Sequence, residues 1–132
     1  MRIFFKLAVM VLLMAACKKS TTNNKTVYTV GLPGKWNFIA SYMGRGVGPI
    51  SWQPTDSLHQ WVVLAENGDV SSNMPMFTDI AGCQQPDSTT LKFKTVQGGV
   101  FQYEFSLDTL QNELILSPLP ICIEGCAYKF RR

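Results

Sequence analysis

Residues 100 to 108, VFQYEFSLD, set Phe101, Tyr103, Phe105 and Leu107 against Gln102, Glu104, Ser106 and Asp108 in strict alternation. A period of two sends successive side chains to opposite faces of an extended chain. Such a segment buries its apolar side only by lying in a sheet that is wet on the other side. TLKFKT repeats the pattern, with Leu91 and Phe93 opposing Lys92 and Lys94, and so does AYKFRR, with Tyr128 and Phe130 opposing Lys129 and Arg131. In KWNFIASYM the same rule puts Trp36, Phe38, Ala40 and Tyr42 on one face. Downstream of Gly34 no segment carries a helical stripe, so the chain is expected to be all-β.

The residues between these runs are turn formers. Asn67-Gly68 and Gly98-Gly99 suit tight type I′ hairpins, which need positive φ at both central positions. Eight strands are expected, near residues 36 to 42, 60 to 66, 69 to 73, 76 to 81, 90 to 96, 100 to 107, 113 to 117 and 125 to 131. With consistently local turns these make an antiparallel meander. A meander of eight strands removes its exposed edges by closing into a small up-and-down barrel, filled by side chains or holding one small ligand. A β-sandwich is the alternative, and the barrel is favoured because no long crossing connection of the Greek-key kind separates the strands. In that barrel Trp36 and Trp61 are expected in the core.

The N-terminus has a different character. Arg2 and Lys6 precede a run of apolar residues that ends at Ala15-Ala16-Cys17 and gives way to KKSTTNN. A basic start and a short apolar core read as a secretory signal over residues 1 to 16, too short for the ~20 residues of a membrane span. The segment LMAAC resembles the lipobox of bacterial lipoproteins, which implies cleavage after Ala16 and lipidation of Cys17. A single acyl chain holds a protein only marginally, whereas several together anchor it stably. Residues 17 to 31 then form the lipidated cysteine and a polar flexible tether, and residues 32 to 132 the folded domain. Losing residues 1 to 16 removes two basic residues and no acid, so the formal charge falls from +3 to +1. A chain so near neutrality has no electrostatic footprint for nucleic acid.

GKWNF opening the first strand, WQP ahead of ENGDVSS, and CIEGCAYKF near the end together resemble the lipocalin-like domain of small bacterial lipoproteins. The resemblance covers residues 34 to 132 and implies a small antiparallel barrel without implying a ligand. It agrees with the barrel read from periodicity.

With Cys17 lipidated, Cys83, Cys122 and Cys126 remain as disulfide candidates in an oxidising envelope. In a strand, Cys122 and Cys126 stand ~13 Å apart at ~3.3 Å per residue, beyond the reach of a bridge. Unless Gly125 turns the chain, Cys83 is therefore expected to pair with one of them. Spacing argues against a metal site, since a C-x₃-C pair with a single distant histidine is poor ligand geometry.

Catalytic groups are scarce. His59 is the only histidine, and in TDSLHQW an extended chain turns Asp56 away from Ser57 and His59, so no triad forms. The glycines of GRGVGP precede Pro49 and an extended segment where a phosphate loop would need a helix. Acidic residues fall in turns or on wet strand faces. No cofactor and no enzymatic activity are expected. Met74, Met76 and Phe77 are adaptable apolar residues that suit either core or a binding surface. Trp52, in the long loop 43 to 56, is expected to lie over the barrel mouth, either as a hydrophobic cap that plugs it or, with Tyr42 and Phe38 beneath it, as the tentative ligand contacts. The expected function is a non-enzymatic protein anchored in the envelope membrane through its lipid. The resemblance to lipoproteins, whose surface-exposed members often carry acids just after the lipidated cysteine, implies a position in the outer membrane facing the periplasm, since CKKSTTNN has none. Its expected partner is a small apolar ligand or an envelope protein; the alternative is a structural or interaction protein with a filled barrel and no ligand.

Overall fold

The computed structural model describes residues 26 to 44, 51 to 56, 59 to 122 and 125 to 132. The signal-like segment, Cys17 and the first part of the tether lie outside the described residues, as do Ser57, residues 45 to 50 of the glycine-rich loop, and residues 123 and 124.

Strands form over most of the expected runs, with a short additional one at residues 53 to 54 and a shifted one at residues 80 to 84. In chain order they are β1 (Gly34–Met43), β2 (Gln53–Pro54), β3 (Trp61–Leu64), β4 (Val70–Ser72), β5 (Ile80–Gln84), β6 (Thr90–Thr95), β7 (Val100–Asp108), β8 (Glu113–Leu119) and β9 (Cys126–Arg131). Eight of them line up as β4-β3-β1-β9-β8-β7-β6-β5, all neighbouring pairs antiparallel, and β2 adds a short rung to β1. Around this circuit each strand neighbours its successor, and β9 returns to β1. The result is a nearly closed up-and-down barrel whose seam lies between β4 and β5. Across the seam the Cys83 amide donates to the Gly68 carbonyl at 2.7 Å, and the Tyr28 hydroxyl donates to the Cys83 carbonyl at 2.7 Å.

The barrel interior is packed. Trp36, Val62, Leu64, Leu91, Phe93, Leu114, Leu116 and Phe130 are all at most 1% exposed, and paired residues such as Phe105 and Leu116 or Leu114 and Phe130 point to the same side. Burying a large apolar side chain contributes ~1.5–3 kcal/mol, which makes this interior the main source of stability. We call the end where β1 begins the lower end. Leu32 closes it: the Trp36 indole donates to the Leu32 carbonyl at 2.9 Å, and the Arg132 guanidinium lies 4.5 Å over the Trp36 ring.

Several expectations are corrected. Residues 75 to 77 are a 3-10 turn rather than the start of a strand, because Pro75 sits in its first turn and the Ser72 hydroxyl accepts the Met74 amide. Strand β5 begins later, at Ile80, and takes in Cys83. The hairpins are not type I′. In each, one left-handed glycine ends an i-to-i+3 turn: Gly68 (φ +93°) donates to Ala65, and Gly98 (φ +90°) donates to Thr95, both at 3.0 Å. Asn67 keeps a negative φ while its side-chain oxygen accepts the Asp69 amide. This is the wider hairpin loop with a glycine bulge. Trp61 faces outward and is only half-buried, with the Lys35 ammonium 5.2 Å over its ring. Residues 26 to 31, expected as flexible tether, instead lie against the barrel. Tyr28 packs on the core, and Thr29 and Gln85 exchange two hydrogen bonds of 2.7 Å.

Candidate functional site

A β-bulge decides where the three expected contact residues point. Phe38 pairs with Phe130 across β1 and β9, but the next partner of Lys129 is Ala40, so Ile39 is the extra residue. An inserted residue reverses the alternation beyond it. Phe38 faces inward, 5.6 Å from the Phe130 ring and 6.4 Å from Tyr128. Tyr42 faces outward, 6.2 Å from Trp52. The returning chain is held to the outer wall by the pairs Ala40 with Pro54 and Ser41 with Gln53, and by the Thr55 amide, which donates to the Ile39 carbonyl at 3.0 Å. The Lys129 ammonium sits 4.4 Å over the Trp52 ring and 3.9 Å from Glu113, which also pairs with Arg131. Trp52 is thus strapped to the outside of the barrel, and the trio does not form one pocket.

The upper end, where β4 runs into β5 and β6 into β7, carries a different apolar feature. The 3-10 turn drives Phe77 into the barrel, 5.4 Å from Phe93 and 6.0 Å from Tyr103, while Phe93 and Tyr103 meet edge to face at 5.5 Å. Met74 is buried beside it, and Met76 stays partly exposed. Above this plug lies a hollow of about 230 Å³ lined by Met76, Phe77, Ile80, Phe101 and Tyr103. Phe101 sits on the inward face as its alternation predicts, yet it occupies the last rung of the barrel and is 55% exposed. Tyr103, whose hydroxyl burial holds above the ordinary phenol range, is the one titratable group of the lining, so the hollow carries no charge at neutral pH. Val96, Val100 and Ile121 extend the exposed apolar rim along the same end. A larger hollow, about 440 Å³, lies at the lower end against residues 26 to 31, Pro33 and Glu66. Its wall is mostly the stretch 26 to 31, which directly follows the undescribed N-terminal residues.

The cysteines differ from the expected pairing. Cys122 bonds to Cys126, with Cα atoms 5.7 Å apart, and Cys83 is free and buried. Gly125 supplies the turn that makes this reachable: its φ is +72°, and its amide donates to the Cys122 carbonyl at 2.8 Å. Cys83 lies inward opposite Phe93, and burial pushes its thiol up to about 12. A neutral thiol favoured by the fold contributes stability below the ordinary thiol pKa of ~8.5, and that stability is lost as pH rises from there toward 12. At pH 8 a thiol reagent is therefore expected to leave Cys83 unmodified in the native protein and to label it only as the protein unfolds in urea. Rapid labelling without denaturant would show that the seam does not seal it.

Among the described residues no catalytic arrangement is seen. His59 is exposed, and its described contact is a backbone carbonyl accepting from the Asn73 side chain. Among the described residues no group of three metal-ligating side chains comes together, and no helix is long and apolar enough to cross a membrane. The geometry defines an antiparallel barrel with a packed interior, a lower end filled by Leu32 and Trp36 with a hollow beside residues 26 to 31, and an upper end holding a smaller apolar hollow. Searches of protein-family models, of curated proteins and of solved structures found no match to this chain.

Proposed function

We propose that this chain is a non-enzymatic, lipid-anchored envelope protein, lipocalin-like in kind, whose barrel binds a small apolar group at its upper mouth. The observation that carries the reading is the hollow at Met76, Phe77, Ile80, Phe101 and Tyr103. It is concave, apolar and uncharged, which are the properties of small-molecule sites. The described chain begins at the opposite, lower end. An anchor at Cys17, in the outer membrane and facing the periplasm, would hold that end toward the bilayer and leave the hollow open to the aqueous side. Labelling with a fatty-acid analogue is expected to tag the natural chain and not Cys17→Ala; label persisting in the variant would remove the anchor from this reading.

Binding is tested by titrating the purified protein with the apolar fluorophore 1-N-phenylnaphthylamine. A saturable rise in emission is expected, weakened at least tenfold by Phe101→Ser, a change at an exposed rung that the fold tolerates. A linear, unsaturable response, or an identical curve for the variant, would sink it. The second reading, a filled structural or interaction barrel, is favoured by the close packing from Leu32 at one end to Phe77 at the other, and it predicts the flat response.

A further inference from the structure

We propose that the upper hollow selects small aromatic molecules of one or two rings over saturated molecules of the same size. This inference rests on the reading of the hollow as a binding site. Size sets the first limit: a cavity of ~150 Å³ holds benzene, whereas drug-sized ligands need ~300 Å³ or more. At about 230 Å³ the hollow lies between them. Composition sets the second. Three of the five lining residues, Phe77, Phe101 and Tyr103, present rings, and Met76 adds a polarizable thioether. Phe77, Phe93 and Tyr103 already form a tilted cluster, with interplanar angles of 50°, 43° and 88°. Aromatic rings prefer such tilted and edge-to-face neighbours, and sulfur favours ring edges. A guest ring seated above Phe77 and beside Phe101 extends this arrangement, while a saturated guest gains only the burial of its area. The geometry therefore favours flat rings carrying few polar groups, with any polar substituent directed out of the mouth.

The test follows the Met76 methyl signal by NMR while the full protein is titrated with benzyl alcohol, indole or cyclohexylmethanol. Benzyl alcohol and indole are expected to bind roughly three- to tenfold more tightly than cyclohexylmethanol, the ratio given by one favourable aromatic contact. Phe101→Leu, which keeps the site apolar, is expected to bring the ratio below twofold while cyclohexylmethanol binds as before. Equal or tighter binding of cyclohexylmethanol to the natural protein overturns the selectivity and leaves an unselective apolar site standing. If none of the three compounds moves the Met76 signal, selectivity and binding site both fall.

Discussion

Replacing Trp36 with alanine is expected to lower stability by ~3–5 kcal/mol, the range for removing a large buried aromatic residue. The indole is 1% exposed and stands where the lower end of the barrel closes. Three losses coincide there. The cavity left between Leu32 and the β1 and β3 walls cannot collapse, because both strands are fixed by their ladder. The Leu32 carbonyl loses its donor, and an unpartnered buried acceptor costs ~1–3 kcal/mol on its own account. Arg132 loses the ring beneath its guanidinium. Domains of this size are stable by only ~5–15 kcal/mol, so the variant should lose a large share of its stability. Urea unfolding at 25 °C measures it. Trp36→Phe, which keeps a ring but not the N–H, separates packing from the hydrogen bond and should cost less than half as much. A small change in both would mean that the lower end is not where the barrel is sealed.

Much of this architecture was legible because burial in a barrel imposes a period of two, and β6, β7 and β9 obey it residue by residue. Where the chain departed from expectation, it did so at positions that interrupt the period. Phe38-Ile39-Ala40 places three apolar residues in succession, and the bulge at Ile39 is how the chain accommodates them. Alternation alone carried Tyr42 to the wrong face, and the tentative contact set of Trp52, Tyr42 and Phe38 was divided with it. Pro75, just ahead of the strand expected over 76 to 81, likewise displaced its start, since a proline lacks the N–H a ladder requires and suits a helical first turn. The pairing of Cys122 with Cys126 depended on a backbone angle at Gly125 that spacing cannot supply. Trp61 begins the apolar run WVVL, and nothing local says which parity faces inward; its partner Asn37 on β1 decides it. The hollow was the least legible feature. Met76 and Phe77 were recognised as adaptable apolar residues, but Phe101 and Tyr103 reach them only through the register of β6 with β7, and that is a property of the assembled sheet.

The seam between β4 and β5 is the weakest join of the barrel, and Gly68→Ala is expected to open it. Two demands fall on this glycine. Its φ of +93° is a conformation in which an L-residue costs ~1–2 kcal/mol, and a Cβ there would come within 3.0 Å of the Cys83 carbonyl oxygen. That carbonyl cannot move away freely, because it accepts the Tyr28 hydroxyl while the Cys83 amide is bound to Gly68 itself. Gly98 provides the internal control. It ends the equivalent turn between β6 and β7 with nearly the same φ of +90°, but its Cβ would meet nothing within 4 Å. Gly98→Ala should therefore cost the backbone conformation alone, ~1 kcal/mol or somewhat more, and Gly68→Ala roughly 2–3 kcal/mol, the difference being the close approach at the seam. The two variants should also differ in where the protein loosens. Hydrogen exchange at the Cys83 amide should accelerate strongly in Gly68→Ala and hardly in Gly98→Ala, while Leu116, on the far wall, keeps its relative protection in both. Equal costs for the two substitutions, or faster exchange spread evenly around the barrel, would show that the hydrogen bond from Cys83 to Gly68 is not what holds β4 and β5 together.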